Sequence, residues 1–239
     1  MAKRVPEGPA PDPAVQKLRV RYAKRGRLRF TSTRDFQRAL ERAVRRARLP
    51  VAFSAGFHPH PKISYANAAA TGWASEAEYF EISLTERADP AQVAVALDEA
   101  LPPGLDVLQV VEAEPGALAD RLQASVWRVD LPGADVTGLR SALERLLAMD
   151  RAEVTRMTKS GARTFDVRAA IERAELTADP AGLDLVLHHT TPAVRPTDIL
   201  TALTELCGWQ ADRTRSVTRL AQGPMRADGA LDDPLTERG

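Results

Sequence analysis

Two histidines alternate with prolines in the segment of the sequence best suited to chemistry. The segment reads Gly56-Phe57-His58-Pro59-His60-Pro61-Lys62. Because proline removes a backbone donor and keeps the preceding residue extended, this segment is predicted to be a stiff, exposed loop and not a helix or central strand. An imidazole can move a proton or ligate a metal near neutral pH. The predicted recognition residues of this site are Phe57, His58, His60, Lys62 and, from a later strand, Glu78.

Several roles remain open for this loop. As acid–base groups, His58 or His60 could cleave RNA while Lys62 stabilises the charge on the phosphate. As a rigid recognition surface, the loop would stack Phe57 on a base and hold a phosphate with Lys62. It could also only brace a sheet. Two histidines are too few for a metal centre, so no metal and no cofactor are predicted. Ligands that could complete such a centre, if they were near, are His188, His189, Glu76 and Glu78.

Positive charge is concentrated at the start of the chain, although the net charge of the whole is only +1. Residues 1–50 hold fifteen Lys or Arg and four Asp or Glu, a net charge of +11, and the remainder carries −10. Such asymmetry indicates a surface for a polyanion or an acidic protein, unless the acidic remainder neutralises the basic part within one fold. The predicted RNA-binding residues are Lys17, Arg19, Arg21, Arg27, Arg29 and Lys62.

The first of these residues are predicted to lie on a strand. Apolar and basic side chains alternate over residues 17–22, which is typical of a half-buried strand with a basic outer face. A turn follows at residues 24–26. The alternation then resumes over residues 27–30, so Phe30 is predicted to point into the core.

A helix is predicted to follow this strand pair. It begins at Ser32, and apolar residues at helical spacing run from Phe36 to Ala47 before Pro50 ends the helix. Arginines run along the other side of this helix: Arg34, Arg38, Arg42 and Arg45. Arg34, Arg38 and Arg42 could pair with phosphates, but a solvated face is the favoured interpretation.

The order of elements up to residue 114 is β-α-β-β-α-β, and a similar order follows it. This pattern predicts an α+β protein built from tandem ferredoxin-like halves, with antiparallel sheets and helices on one face. The halves are predicted to span residues 16–114 and 115–221, divided near Glu114-Pro115-Gly116. Residues 1–15 and 222–239 are rich in proline or in aspartate and glycine, and we predict disordered tails there.

Several classes of protein are excluded or disfavoured by composition. The one cysteine, Cys207, rules out a disulfide within the chain and a cysteine-based zinc site. The first fifteen residues lack the apolar stretch of a signal peptide, and no run of 18 apolar residues occurs, so we expect a cytoplasmic protein. The sequence contains no glycine-rich phosphate loop, nucleophile elbow or metalloprotease helix motif.

Three segments, residues 28–36, 56–66 and 76–82, closely resemble the radical-SAM-associated family of unknown function. The resemblance covers roughly residues 16–210, and the His-Pro-His-Pro-Lys loop is its most specific part. It implies a partner, a cobalamin-binding radical SAM protein that would hold the iron–sulfur cluster and perform the radical chemistry. This chain would then be a non-catalytic accessory protein that binds RNA, such as ribosomal or transfer RNA, or presents the substrate.

Two other functions remain open. The tandem layout resembles that of the RNA-processing endonucleases of CRISPR systems, which suggests metal-independent RNA cleavage. Those enzymes generally carry a glycine-rich loop near the C-terminus, and Gly208 and Gly223 do not form one here. A scaffold that binds only protein is the remaining alternative.

Overall fold

The computed structural model describes residues 11–158, 161–179, 181–210 and 216–236, which form two compact units. The first unit reaches Asp120 and also includes Leu235 and Thr236, and the second spans Arg121–Pro234. The sequence places the boundary slightly earlier, near Glu114-Pro115-Gly116. No helix within the described ranges is long and apolar enough to cross a lipid bilayer.

The first unit is a four-stranded antiparallel sheet with two helices. Its strands are ordered β4-β1-β3-β2, and every neighbouring pair is antiparallel. A short helix, α3, contains the boundary between the units. The elements are β1 (Gln16–Lys24), a 3-10 turn (Gly26–Phe30), α1 (Thr33–Arg46), β2 (Ile63–Ala66), β3 (Ala74–Leu84), α2 (Pro90–Ala100), β4 (Val107–Glu112) and α3 (Leu118–Arg121).

The core of this unit lies between the helices and one face of the sheet. In α1 the buried positions follow the helical period, so one stripe of the helix is apolar. That stripe and the buried side of α2 pack against alternate residues of β1 and β3. The buried side chains at this contact include Phe36, Leu40, Val44, Val93, Leu97, Leu18, Val20, Phe80 and Ile82.

The start of α1 is fixed by Ser32, as the sequence predicts. The Ser32 hydroxyl accepts a hydrogen bond from the Asp35 amide at 3.2 Å and donates one to the Asp35 carboxylate at 2.7 Å. The first amides of a helix have no partner within the helix, so a side-chain acceptor at the cap stabilises it.

Replacing Ser32 by alanine is expected to lower the free energy of unfolding by about 1 kcal/mol, because the cap bond is lost. Urea denaturation measures this change. Thr33→Ala, one residue further on, is the matched control and is expected to cost less than about 0.5 kcal/mol. Equal losses in the two variants would contradict the role of Ser32 as the cap.

The second unit has a four-stranded antiparallel sheet and a separate hairpin. The sheet order is β10-β5-β9-β8, and β6 pairs only with β7 among the described strands. The elements are β5 (Ala124–Asp130), α4 (Val136–Leu147), β6 (Glu153–Thr158), β7 (Gly161–Asp166), β8 (Ile171–Ala178), β9 (Ala181–His188), α5 (Pro196–Glu205) and β10 (Ser216–Gly223).

The predicted α+β class with antiparallel sheets is confirmed, but one predicted strand is wrong. Residues 27–30 form a 3-10 turn, and Phe30 is 58% exposed instead of buried. The chain leaves the sheet because Gly26 has a φ of +52°, which L side chains rarely adopt. The Arg25 amide also donates to the Gly104 carbonyl at 2.8 Å, which holds this turn away from β3.

The end of the chain has more structure than its composition suggests. Strand β10 extends past residue 221 to Gly223, and a bridge then joins Met225 to Leu231. The turn between them contains Gly229, and the Arg226 amide donates to the Ala230 carbonyl at 2.9 Å. Residues that favour tight turns, more than disorder, explain the aspartate and glycine content here. The predicted first residue of the last strand, Arg213, and residues 1–10 of the predicted N-terminal tail lie outside the described residues.

Candidate functional site

Arg19 of β1 is buried, and the prediction that it lies on an exposed basic face is wrong. Its side chain is 1% exposed. Its Nε donates to the Glu81 carboxylate of β3 at 3.0 Å, and its Nη2 donates to the carbonyls of Glu114 and Gly116 at 2.9 and 2.7 Å. The segment after β4 therefore covers this part of the sheet face, so Arg19 is not free for a phosphate.

The other basic residues of β1 also have acceptors on β3. Lys17 Nζ lies 3.8 Å from a Glu81 oxygen, and Arg21 Nε donates to the Glu76 carbonyl at 2.9 Å. The register sets Arg19 opposite Glu81, so strands of opposite charge lie side by side. The sheet face of the first unit is thus largely neutralised, and it offers a polyanion few unpaired cations.

Arg25, just after β1, is held in the same way. Its guanidinium forms a two-pronged ion pair with Glu76 and donates to Asp106 at 2.8 Å. Hydrogen bonding to Glu76 raises the pKa of Arg25 above its ordinary value, and the Asp106 contact adds to this. Arg25 therefore links β3 to the residue before β4.

Glu78 and Lys24 are buried beneath the loop that follows β2, so Glu78 does not join the exposed residues with which it was grouped. The Glu78 carboxylate accepts from the Ala69 amide at 2.8 Å. Lys24 Nζ donates to the carbonyls of Ala69 and Ala70 at 3.3 and 3.2 Å. These hydrogen bonds hold residues 69–70 against the sheet, so Glu78 and Lys24 have a structural role.

A small pocket, with a cavity volume of only about 10 Å³, lies beside these groups at the start of α1. Burial raises the pKa of Tyr65 in its wall to about 12, with a smaller contribution from the negative charge of Glu41. Glu78 lines this pocket, whereas His58, His60, Lys62 and Arg29 are not among the described residues that line it. The predicted site residues thus do not converge here.

The loop around the two histidines is a hairpin, and it is exposed as predicted. Phe57 at its tip is 89% exposed, and His58, His60 and Lys62 are exposed as well. Backbone bonds close its base: the Ser54 amide donates to the His60 carbonyl, and the Lys62 amide donates to the Ala52 carbonyl, each at 2.8 Å. We call residues 51–63 the aromatic hairpin.

Four exposed cations without an ion pair among the described residues lie on α1, where a solvated face was expected. They are spaced at i, i+4, i+8 and i+11, so they share one side of the helix opposite its buried stripe. Among the residues that the structure describes, no ion pair joins these four guanidinium groups to a carboxylate. This α1 basic face consists of Arg34, Arg38, Arg42 and Arg45, all exposed.

A gap in the acidic residues explains why this face stays unpaired. Residues 42–75 contain no Asp or Glu, although they include Arg48 and Lys62, which are exposed, and both histidines of the aromatic hairpin. The helix itself carries two carboxylates. Asp35 accepts a hydrogen bond from the Ser32 hydroxyl, and Glu41, on the same side of the helix as the arginines, forms no ion pair with them in the described part of the chain. The sequence therefore does indicate the α1 basic face, but through the lack of carboxylates over residues 42–75 and not through a motif.

Arg27 and Arg29 lie just before α1. Arg27 is exposed and Arg29 is half-buried, and the Arg29 guanidinium lies 4.7 Å above the exposed ring of Phe30. Of the predicted RNA-binding residues, Arg27 and Arg29 thus adjoin α1 in the sequence, whereas Lys62 lies in the aromatic hairpin.

The two histidines of the second unit do not join the hairpin histidines in a metal centre. His188 Nε2 lies 2.9 Å from a Glu172 oxygen, whereas His189 lies between the Leu122 carbonyl and the Ser125 hydroxyl at 2.6 and 2.7 Å. In the described part of the chain, no three His, Cys, Asp or Glu side chains come together as metal ligands would.

His189 gives the second unit a pH-dependent stability. Burial, together with the charges of Arg219 and His188, lowers its pKa from 6.5 to about 4, although the bond to Leu122 opposes this. Because the folded pKa lies below the unfolded value, protonation favours unfolding, and stability falls as the pH drops from about 6.5 towards 4. Between pH 7 and 5 the wild type is expected to lose roughly 2 kcal/mol more than His189→Gln, as measured by urea denaturation. Parallel losses in both proteins would contradict this.

Comparison with known proteins gives a family and no activity. A family model described as "uncharacterized protein conserved in bacteria" (DUF2344) matches residues 17–196, from β1 to the start of α5. No curated protein matches the chain with significant similarity. The match covers most of the 239 residues and parts of both units. The chain belongs to this family of uncharacterised bacterial proteins.

Proposed function

We propose that this chain is a cytoplasmic, non-catalytic accessory protein that binds RNA through the α1 basic face and presents substrate to a cobalamin-binding radical SAM partner. The observation that carries the RNA part is the row of four exposed guanidinium groups without carboxylate partners. Guanidinium groups form paired hydrogen bonds with phosphate oxygens, and they stay charged at every physiological pH.

The dimensions of the row suit a polymer of phosphates better than a single anion. From Arg34 to Arg45 the helix rises by about 16 Å, at roughly 1.5 Å per residue. A small anion would contact one or two of these groups, whereas a nucleic acid backbone can follow all of them. Contacts of this kind give affinity without choosing a sequence, which suits a protein that holds its substrate for another enzyme.

We also propose that each unit is ferredoxin-like. The strand orders β4-β1-β3-β2 and β10-β5-β9-β8, both fully antiparallel, support this, because each corresponds to the order 4-1-3-2 of a β-α-β-β-α-β unit if the hairpin β6-β7 is an insertion. Some RNA-binding proteins with a four-stranded sheet stack bases on its open face. The first unit carries Arg19 and Glu81 there, paired with each other, which favours the helix side as the RNA surface.

The proposed partner rests on the sequence resemblance of the segments around residues 28–36, 56–66 and 76–82. The chain has a single cysteine and cannot itself supply the three thiolates of a radical SAM cluster. Co-purification with a tagged cobalamin-binding radical SAM protein from the same genome tests this part. Failure to co-purify, with RNA binding intact, would leave an RNA-binding protein without that partner.

Binding to a mixed-sequence RNA over a range of salt concentrations tests the RNA part. If all four arginines contact phosphates, the logarithm of the association constant should fall with the logarithm of the salt concentration with a slope of roughly −3 for a single strand. Fluorescence anisotropy with a labelled RNA measures the slope. No binding at 50 mM salt, where phosphate contacts are strong, would reject RNA as the ligand.

RNA cleavage by His58 or His60 is a second candidate, favoured by the full accessibility of both imidazoles beside Lys62. Incubation with RNA in the presence of EDTA, with wild type and a His58→Ala/His60→Ala variant, tests it. Faster loss of intact RNA with the wild type would support cleavage, and equal survival of the RNA would end the idea.

A further inference from the structure

Exposed phenylalanines precede and follow the α1 basic face in the sequence. The chain has six phenylalanines. Three are buried, and the other three, Phe30, Phe53 and Phe57, are exposed. Phe30 lies just before the start of α1, and the other two lie in the aromatic hairpin that follows its end. A single exposed apolar side chain is ordinary, but exposed phenylalanines in the segments on both sides of one basic helix require a reason.

The ring of Phe57 is presented by a braced segment. The His60 amide donates to the Ser54 hydroxyl at 3.0 Å, and a bridge pairs Phe53 with Pro61. Two prolines stiffen the returning half of the hairpin. Because the base of the hairpin is hydrogen-bonded and two prolines restrict its returning half, stacking of a ligand on Phe57 should cost less entropy than the ordering of a flexible loop.

The neutral and basic groups near these rings favour an anionic ligand. Between Glu41 and Glu76 the sequence has no carboxylate, so the hairpin and the end of α1 present only neutral and basic groups. Before α1, the Arg29 guanidinium already lies over the face of Phe30 at 4.7 Å. Aromatic rings beside unpaired cations are the combination that binds single-stranded nucleic acids, in which bases stack while phosphates meet the cations.

We infer that the α1 basic face takes single-stranded RNA, with unpaired bases stacked on Phe57 and Phe30 and the backbone running along the helix between them. This inference rests on the proposed binding of RNA and specifies its form. A duplex keeps its bases stacked on one another, so it can meet the arginines but not the rings.

Two RNAs of the same sequence test the inference: a single strand of about twelve nucleotides that contains 2-aminopurine, and its blunt duplex. The wild type is expected to bind the single strand at least about tenfold more tightly at 150 mM salt, with quenching of 2-aminopurine on stacking. Phe57→Ala should weaken binding of the single strand about tenfold and leave the duplex unchanged. Met157→Ala, which removes a 75% exposed apolar side chain from the second unit, is the matched control and should change neither.

The outcomes separate this inference from the proposed function. Equal affinity for both RNAs with no effect of Phe57→Ala would overturn single-strand stacking, while salt-dependent binding would leave the RNA function standing. Absence of binding to either RNA at 50 mM salt would overturn both.

If Phe57→Ala abolished capture of a protein partner and left both RNA affinities unchanged, the hairpin would be a protein-binding surface and the inference would be wrong. Thermal unfolding followed by circular dichroism should be unchanged in Phe57→Ala, because the ring is exposed.

Discussion

Replacing Arg19 by alanine is expected to lower the free energy of unfolding by about 3–5 kcal/mol. The change removes the buried ion-pair partner of Glu81, which is itself buried and keeps, among the described residues, only the Ser64 hydroxyl at 3.2 Å and the half-exposed Lys17 at 3.8 Å. It also leaves the carbonyls of Glu114 and Gly116 without this donor. An unpaired buried charge costs far more than the pair contributes, because the lost solvation is no longer compensated. Urea denaturation of the variant measures the loss.

Lys17→Ala is the matched control for this prediction. Lys17 also approaches Glu81, but its side chain is 52% exposed, so its loss should cost less than about 1 kcal/mol. A double variant, Arg19→Met with Glu81→Leu, should recover much of the stability that Arg19→Ala loses, since it leaves no unpaired charge. Similar costs for Arg19→Ala and Lys17→Ala would contradict the buried ion pair.

Neutralising three arginines of the α1 basic face is expected to lower RNA affinity by roughly 10²- to 10³-fold at 50 mM salt. The variant is Arg38→Gln/Arg42→Gln/Arg45→Gln, and each substitution removes one phosphate contact with its share of counterion release. Fluorescence anisotropy with the mixed-sequence RNA measures the change. The stability of the protein should hardly change, because all three side chains are exposed.

A second variant that loses the same number of positive charges controls for the effect of net charge on RNA binding. Arg87, Arg151 and Arg173 are exposed and already paired with carboxylates, and their replacement by glutamine removes three positive charges elsewhere. This control should weaken RNA binding by less than about tenfold. Equal losses in the two variants would mean that net charge, and not the α1 basic face, drives binding.

Much of the local structure follows from the sequence because its causes are local. The period of apolar residues and the cap at Ser32 define α1, and the alternating prolines define the exposed hairpin. The α+β class with antiparallel strands follows as well, whereas the hairpin β6-β7 has no counterpart in the predicted pattern. In contrast, residues 27–30 keep an alternating pattern but leave the sheet, because Gly26 and the bond from Arg25 to Gly104 turn the chain.

The candidate site was harder to predict, because the accessibility of each side chain depends on which distant segments of the chain pack over it. The period of β1 correctly separates Leu18 and Val20 from Arg19, but it cannot reveal that residues 114–116 return to cover Arg19. Likewise, no local pattern shows that Glu78 holds the backbone at Ala69. The α1 basic face is indicated by the sequence alone, since residues 42–75 contain no Asp or Glu and α1 itself carries only Asp35 and Glu41 beside its arginines.

The salt dependence of RNA binding, compared between wild type and Arg38→Gln/Arg42→Gln/Arg45→Gln, is the most direct test of the α1 basic face. We expect both logarithmic plots to be linear, with the slope of the variant shallower by about 2, which corresponds to three phosphate contacts with a single strand. Plots of equal slope would show that these arginines touch no phosphates, and the assignment of α1 as the RNA surface would then be wrong.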